Sequence, residues 1–464
     1  MTPSRQLRRI ARFYPSASNC SVLPLDVVMK IAFYIPDAPD LFAYLEGLRT
    51  LRSLGDLEHL YQLGLSQRHS DLWPRLLINS SILESTLRSS YEAIAKYYVN
   101  IVVKDVNDVV WVKKHVHFMT DIEWIMTILP VTTDIANNWT DMRITRLSVG
   151  SECEAPGGWN DIFRRLPCLT SLSLLHVEGN VDTLLDVVTK STQLTELKFF
   201  PEEFEIKATD LLCLTEWFRS QRPQVFETGF HEWDHVDETL VQDFCEAVFN
   251  CSSLKSLCLT DMYLRDVDFS HFMMKMESLQ LNCCCINSDV VKSLASRLPD
   301  SKLVHLELMD SWNQATVYLE DVIQALPHSS IKTLKLLGLS LGCVNSTTFF
   351  QPIQNCHLDT LIIESSFPST LAESLATVIQ NNHTICELDL ANSLISMSDL
   401  RRLVQSVTST DRRVKTRRIK WKKYRTSSIP ASDLTELEEI KIEGAFESLL
   451  CPDIDCYRFM WYST

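Results

Sequence analysis

Nine times along this chain an apolar residue is followed, three and then two positions later, by two more. The instances are "ITRLSV" from Ile144, "LTSLSL" from Leu169, "LTELKF" from Leu194, "LKSLCL" from Leu254, "MESLQL" from Met276, "LVHLEL" from Leu303, "IKTLKL" from Ile331, "LDTLII" from Leu358 and "ICELDL" from Ile385. A weaker copy, "VFETGF" from Val225, fills the longest gap, so successive starts lie 25, 25, 31, 29, 22, 27, 28, 27 and 27 residues apart. Neither the strand period of two nor the helical period of 3.6 accounts for a three-then-two spacing. The second and third apolar residues fit one face of a short strand, and the first fits a bend that precedes it.

Between these strands the period changes to helical. Leu319, Val322, Ile323 and Leu326 fall at i, i+3, i+4 and i+7, as do Leu400, Leu403, Val404 and Val407, while Val290, Leu294 and Leu298 fall at i, i+4 and i+8, and Leu371, Leu375, Val378 and Ile379 at i, i+4, i+7 and i+8. Thr370 and Glu373 have the spacing of a capping box at a helix start. Each unit is therefore a strand and a returning helix, too small to bury its own apolar face, which must stack on its neighbours. Unrelated buried strands of an ordinary α/β domain would not keep intervals so close to one value. Two earlier copies, "WPRLLI" from Trp73 and "YYVNIV" from Tyr98, are also 25 residues apart, and an irregular stretch from Asp105 to Asp141 follows them.

This pattern resembles the long-repeat branch of the leucine-rich-repeat family, over about residues 144–425. The resemblance implies an α/β leucine-rich-repeat solenoid similar to the ribonuclease-inhibitor type, with parallel strands on the concave side and helices on the convex side. The family's Asn or Cys, separated from the last leucine by two residues, is present as Cys284, but Met262, Ser311, Leu339, Ser366 and Ser393 stand there in other repeats. In such a solenoid the residues between the leucines face the concave side. Here they include Glu196, Lys198, Lys255, Gln280, His305, Glu307, Lys332, Lys335, Asp359, Glu387 and Asp389. The last seven of these, from His305 apart from no other member, are the candidate target-binding residues: His305, Glu307, Lys332, Lys335, Asp359, Glu387 and Asp389. Their alternating signs suit a protein partner better than a polyanion.

Ahead of the repeats, "VLPLDVVMKIAFYIPDAPDLFAYLEGLRTL" places Val27, Val28, Ile31, Tyr34 and Ile35 on one helix, breaks at Pro36, and continues with Leu41, Phe42, Leu45 and Leu48 on a second. Exposed together, Leu23, Pro24, Ile31 and Ile35 would form an apolar patch that needs a partner. Leu23, Pro24, Asp26, Ile31, Tyr34, Ile35, Pro36, Asp37 and Leu41 resemble an F-box, the helical motif of ubiquitin-ligase substrate receptors. The resemblance implies docking to a Skp-type adaptor, and through it to a cullin, by Leu23, Pro24, Ile31, Ile35, Pro36 and Leu41. The family's third helix is not matched, since Trp73 arrives only after an insertion. The other reading of these helices is a cap covering the apolar end of the solenoid.

Composition sets bounds on function. An apolar fraction of 45% and a charged fraction of 22% are those of a globular chain, and no apolar run is long enough for a membrane span. The fifteen cysteines show no framework spacing and no secretory signal is evident, so reduced thiols and a cytoplasmic or nuclear setting are expected. Eleven glycines leave no phosphate-cradling loop, Cys283 to Cys285 are too close in sequence to converge on a metal, and Cys451 and Cys456 have no matching pair. His115 and His117 would share one side of a strand in "VKKHVHFM", more simply as a polar stripe than as a catalytic pair. No cofactor and no enzyme activity are expected.

The run Asp411 to Arg425 carries net +8 and leaves −23 on the rest of a chain whose formal charge is −15, so nucleic acid is not expected as a general partner. With Val414 lying 29 residues after Ile385, the run fits a final polar repeat, a nuclear-import patch, or an RNA contact through Trp421 and Tyr424, and the acidic "DLTELEEIKIE" after it can pair with it. The expected organisation is a basic tail over 1–20 whose composition also fits a transit peptide, an F-box-like module over 21–80, connecting or first repeats over 81–142, leucine-rich repeats over 143–425 and a C-terminal cap over 426–464. The expected function is substrate recognition for a Skp–cullin–F-box ligase. The alternative is an interaction or inhibitor scaffold without a ligase link.

Overall fold

In "KLVHLELMD" all three leucines are buried: Leu306 and Leu308 point inward from the strand His305–Met309, and Leu303 does so from the bend before it. The bend has its own device. Ser301 Oγ donates to the carbonyl of Leu298 at the end of the preceding helical turn (2.8 Å) and faces the amide of Leu303. Ser329 repeats this with Leu326 and Ile331, and Cys356 Sγ caps the carbonyl of Ile353. A small polar side chain two residues ahead of the first leucine thus closes one helix and turns the chain into the next strand.

The computed structural model describes residues 24–49, 54–127, 137–150, 163, 165–175, 185, 188–200, 206–230, 236–309, 319–339, 341, 348–365, 369–390, 393, 395–409 and 412, together with the backbone of strands 418–424, 446–453 and 456–463. The chain divides into two units, Met1–Thr145 and Arg146–Thr464.

In the first unit, helices α1 (Leu25–Tyr34), α2 (Ala38–Arg49), α3 (Leu57–Gly64) and α4 (His69–Leu72) precede strand β1 (Leu76–Asn79), which pairs in parallel with β2 (Asn100–Lys104), itself parallel to β3 (Asp121–Met126). The helices are not a separate all-α module. Trp73 occupies the bend before β1, donates its indole N–H to the carbonyl of Ile35 (2.8 Å), and packs with Phe33 and Tyr98 in one aromatic cluster. Trp73 therefore both opens the first repeat and anchors the N-terminal helices.

The stretch expected to be irregular contains β3, a full repeat strand. Ile122, Trp124 and Met126 are buried and alternate with outward Asp121, Glu123 and Ile125. Its first apolar position, Met119, is exposed, and Thr120 turns inward instead to bond the carbonyl of Tyr98 (2.7 Å). The strand expected across His115 and His117 is also corrected: Val109–His115 is a helix, begun by Asp108 accepting from the amide of Trp111 (3.0 Å). His115 ends that helix stacked on Trp111, and His117 lies in the turn beyond.

In the second unit the strands run in chain order, each parallel to the next. They are β4 (Ile144–Val149), β5 (Ser171–Leu175), β6 (Glu196–Phe200), β7 (Val225–Gly229), β8 (Ser256–Thr260), β9 (Ser278–Asn282), β10 (His305–Met309), β11 (Thr333–Leu339), β12 (Thr360–Ser365), β13 (Glu387–Leu390) and β14 (Arg418–Tyr424). This is a parallel β solenoid of leucine-rich-repeat type. The helices expected between strands are present, and Leu319, Val322, Ile323, Leu371, Leu375, Leu400 and Leu403 are buried against the sheet's inner face. The helix at 369–381 begins at Ser369, so Thr370 lies inside its first turn and is not its N-cap.

The basic run supplies β14, in the next repeat slot, and the strands Phe446–Asp453 (β15) and Cys456–Ser463 (β16) close the sheet as an antiparallel pair, with β16 beside β14. The acidic stretch 433–443, the basic tail 1–20, Ser311 and Ser366 lie outside the described residues.

Candidate protein-binding surfaces

Along each strand of the second unit every other residue faces away from the helices, and the parallel register aligns these residues into rows across the sheet. One row runs Glu196, Val225, Ser256, Ser278, His305, Thr333, Thr360 and Glu387. The next runs Lys198, Glu227, Cys258, Gln280, Glu307, Lys335, Ile362 and Asp389. The sequence-predicted residues Glu307, Lys335, Glu387, Asp389 and His305 thus share one face, with His305 the most exposed. Lys255, Lys332 and Asp359 sit one residue ahead of their strands, at the rim of that face.

The charges in these rows are matched to one another. Arg146 Nη2 reaches Glu196 Oε1 at 2.9 Å, Lys198 Nζ reaches Glu227 Oε1 at 2.7 Å, and Lys335 Nζ donates to Glu307 Oε2 at 2.7 Å. At the far end the register sets Glu387 opposite Arg418 and Asp389 opposite Lys420. The sign alternation seen in the sequence is therefore cross-strand pairing within the sheet. Glu227 and Arg146 were not singled out in the sequence: the copy at Val225 is weak, and Arg146, which holds in "ITRLSV" the place of Glu196 in "LTELKF", was passed over. The first unit has the same device, with Arg75 Nη1 2.7 Å from Glu123 Oε2 two strands away.

A third row, at the C-terminal ends of the strands, differs in chemistry. Leu175 and Phe200 stand at one end, Gly229, Thr260 and Asn282 in the middle, and Met309 and Leu337 beyond. All but Gly229 are at least partly exposed. A Cβ on Gly229 would stand 3.4 Å from Cδ1 of Phe200 and 3.2 Å from the carbonyl of Thr260, so the absent side chain leaves room for the phenylalanine ring. Sequence reasoning missed this row because it lies past the last leucine of each motif.

Beneath the faces the cysteines are structural. Cys284 Sγ donates to the carbonyl of Leu259 (3.3 Å), as Ser393 Oγ does to that of Ile363 (2.6 Å), so each ties its turn to the preceding repeat. Met262 fills the same place by packing alone. Burial pushes the Cys284 thiol up to about 12 and that of Cys258 to about 11, the carboxylates of Glu227 and Glu307 adding to the effect at Cys258. Among the described residues no group of three His, Cys, Asp or Glu is placed to hold a metal ion, and no helix is long and apolar enough to cross a membrane.

On the N-terminal helices the predicted contact residues separate. Pro24 and Pro36 are exposed, Ile31 is 38% exposed, and Ile35 is half-buried. Leu41 is fully buried, so it supports the helix pair and presents nothing outward. Leu23 lies outside the described residues. Two residues not carried over from the motif are more available: Leu25 is 48% and Tyr34 87% exposed.

No family model matches the chain, and no curated protein matches it. Among solved structures it is similar to the TLR13–ssRNA13 complex, with a TM-score of 0.38 and 11% identity, covering 67% of this chain and 55% of that one. It is also similar to an internalin (inlF) from Listeria monocytogenes, with a TM-score of 0.31 and 12% identity, covering 70% of this chain and 84% of that one. The chain spans about half the length of the first of these. Superpositions this loose add nothing to what strand order and register establish about the fold.

Proposed function

We propose that this protein is a non-catalytic interaction scaffold that captures a protein partner on the helix-free face of its repeat sheet. The observation that carries this reading is the aligned rows on that face, whose charges are neutralised by their own neighbours. Such a surface is rigid, presents polar and apolar groups at fixed spacing, and has little net field to draw in a polyanion. Photo-crosslinking tests it. A photoreactive amino acid at His305 or Lys332 is expected to give discrete adducts in cells that the same group at Lys292, on the helical side, does not give. Adducts of equal yield from both sides, or none from the sheet face, would reject the reading.

A second reading concerns the N-terminal helices, where Pro24, Leu25, Ile31, Tyr34 and Pro36 are exposed together around α1. An apolar patch of this kind favours a docking role, and the F-box-like spacing suggests a Skp-type adaptor. The protein would then act in the cytosol or nucleus as a ligase substrate receptor, raising the local concentration of its target near a ubiquitin-transferring enzyme. The test is binding of the full chain to a purified Skp–cullin complex beside Leu25→Asp and Tyr34→Asp, with folding checked by circular dichroism. Loss of binding in folded variants supports this role. A wild-type chain that does not bind leaves these helices as a structural cap.

A further inference from the structure

The middle of the third row contains an unmet polar demand. Asn282 donates through Nδ2 to Cys258 Sγ at 3.4 Å, and its Oδ1 is buried with no hydrogen-bond partner among the described residues. Exchanging the two ends of the carboxamide would let Oδ1 take the Cys258 S–H, but the amide nitrogen would then be the stranded atom. In either orientation one buried polar atom on the open face lacks a partner among the described residues, which is unfavourable for the free protein. On one side stand Phe200, over the gap at Gly229, and Leu175; on the other stand Met309 and Leu337.

We propose that this row binds an extended polypeptide segment of the partner, running across the strands, with a backbone group bonded to the Asn282 carboxamide and apolar side chains seated at Phe200 and Met309. The proposal rests on the reading of this face as the capture surface. A peptide backbone alternates N–H and C=O, so it satisfies Asn282 in either orientation. Four strand steps separate Phe200 from Met309, about 19 Å at about 4.8 Å per step, which about six residues of extended chain span. Charge complementarity selects the same occupant. The adjoining row pairs Glu227 with Lys198 and Glu307 with Lys335, so these lysines are already engaged and give a phosphate backbone little to pair with, while a neutral peptide has nothing to neutralise.

The test uses a phage-displayed library of random linear peptides, selected on the full-length protein, followed by anisotropy titration of a synthesised winner. Winners are expected to carry two large apolar residues about six positions apart. Their binding should weaken about tenfold or more in Phe200→Ala and in Asn282→Leu, and remain unchanged in Lys292→Glu on the helical side, all three variants melting like the wild type. Winners whose binding ignores Phe200 and Asn282 but falls in His305→Ala or Lys332→Glu would overturn this inference and leave the capture surface standing. Winners that ignore every sheet-face substitution, or no winners at all, would overturn both.

Discussion

Replacing Asn382 with alanine is expected to be strongly destabilising. The side chain is fully buried and joins two neighbouring repeats. Its Oδ1 accepts from the amides of Thr384 and Ile385, both at 2.8 Å, and its Nδ2 donates to the carbonyls of Ile353 (2.7 Å) and Cys356 (3.3 Å). The carbonyls keep other donors: Cys356 Sγ bonds that of Ile353, and Thr384 Oγ1 that of Cys356. The two amides are left with no acceptor. At about 1–3 kcal/mol for each stranded buried donor, Asn382→Ala should destabilise by about 2–6 kcal/mol. Urea denaturation followed by circular dichroism measures the total. Because a repeat array can open locally, hydrogen exchange at Thr384 to Leu388 measures the local part. The exposed neighbour serves as control, with His383→Ala expected within about 0.5 kcal/mol of wild type. An Asn382→Ala protein as stable as that control, with unchanged exchange at these amides, would refute the account of the inter-repeat junction.

Other expectations follow from the same geometry. Burial raises the thiols of Cys245 and Cys284 to about 12 and those of Cys258 and Cys356 to about 11, from an ordinary value of 9.0. The folded state then holds protons that the unfolded state releases, so stability is full below about pH 9 and declines above it; Cys245→Ala should flatten that decline, measured by urea midpoints against pH. A thiol reagent at pH 8 should leave these four unmodified until urea is added. Glu307 and Lys335 should show a coupling of no more than about 1 kcal/mol in a double-mutant cycle, since the lysine is 38% exposed and the pair is solvent-screened. Leu41→Asp should unfold the first unit, losing far-ultraviolet ellipticity, where Tyr34→Asp changes nothing in the fold.

The repeats were legible because the same three-then-two spacing had to solve the same burial problem in each unit. Leu303, Leu306 and Leu308 stand for all of them. What escaped did so where a polar residue took over an apolar job. In β3 the inward turn is made by Thr120 instead of the apolar residue beside it, which hid a strand among residues expected to be irregular. The closures at Ser301, Ser329 and Cys356 have no common residue identity, only a common geometry, so no letter pattern announces them. The candidate face was legible as a set of positions but not as an electrostatic object. Alternating signs in a sequence do not say which charge reaches which, and only the register shows Glu307 meeting Lys335 and Lys198 meeting Glu227. The N-terminal motif shows the converse error: Leu41 matches a contact position by spacing, yet packing against its own helices withdraws it from any surface.

The neighbour-to-neighbour ion pairs give the array a fixed order. Lys198 with Glu227, and Glu307 with Lys335, are each complementary to the particular repeat beside them, so these units are not interchangeable modules. Excising the repeat that carries Glu227 would set Lys198 beside Cys258, and excising the one that carries Glu307 would set Lys335 beside Gln280. Duplicating either would place like charges in adjacent strands. Gain or loss of a whole unit, the ordinary way for solenoids to change length, is thereby penalised inside this sheet, and variation is directed to single substitutions and to the loops between strands and helices.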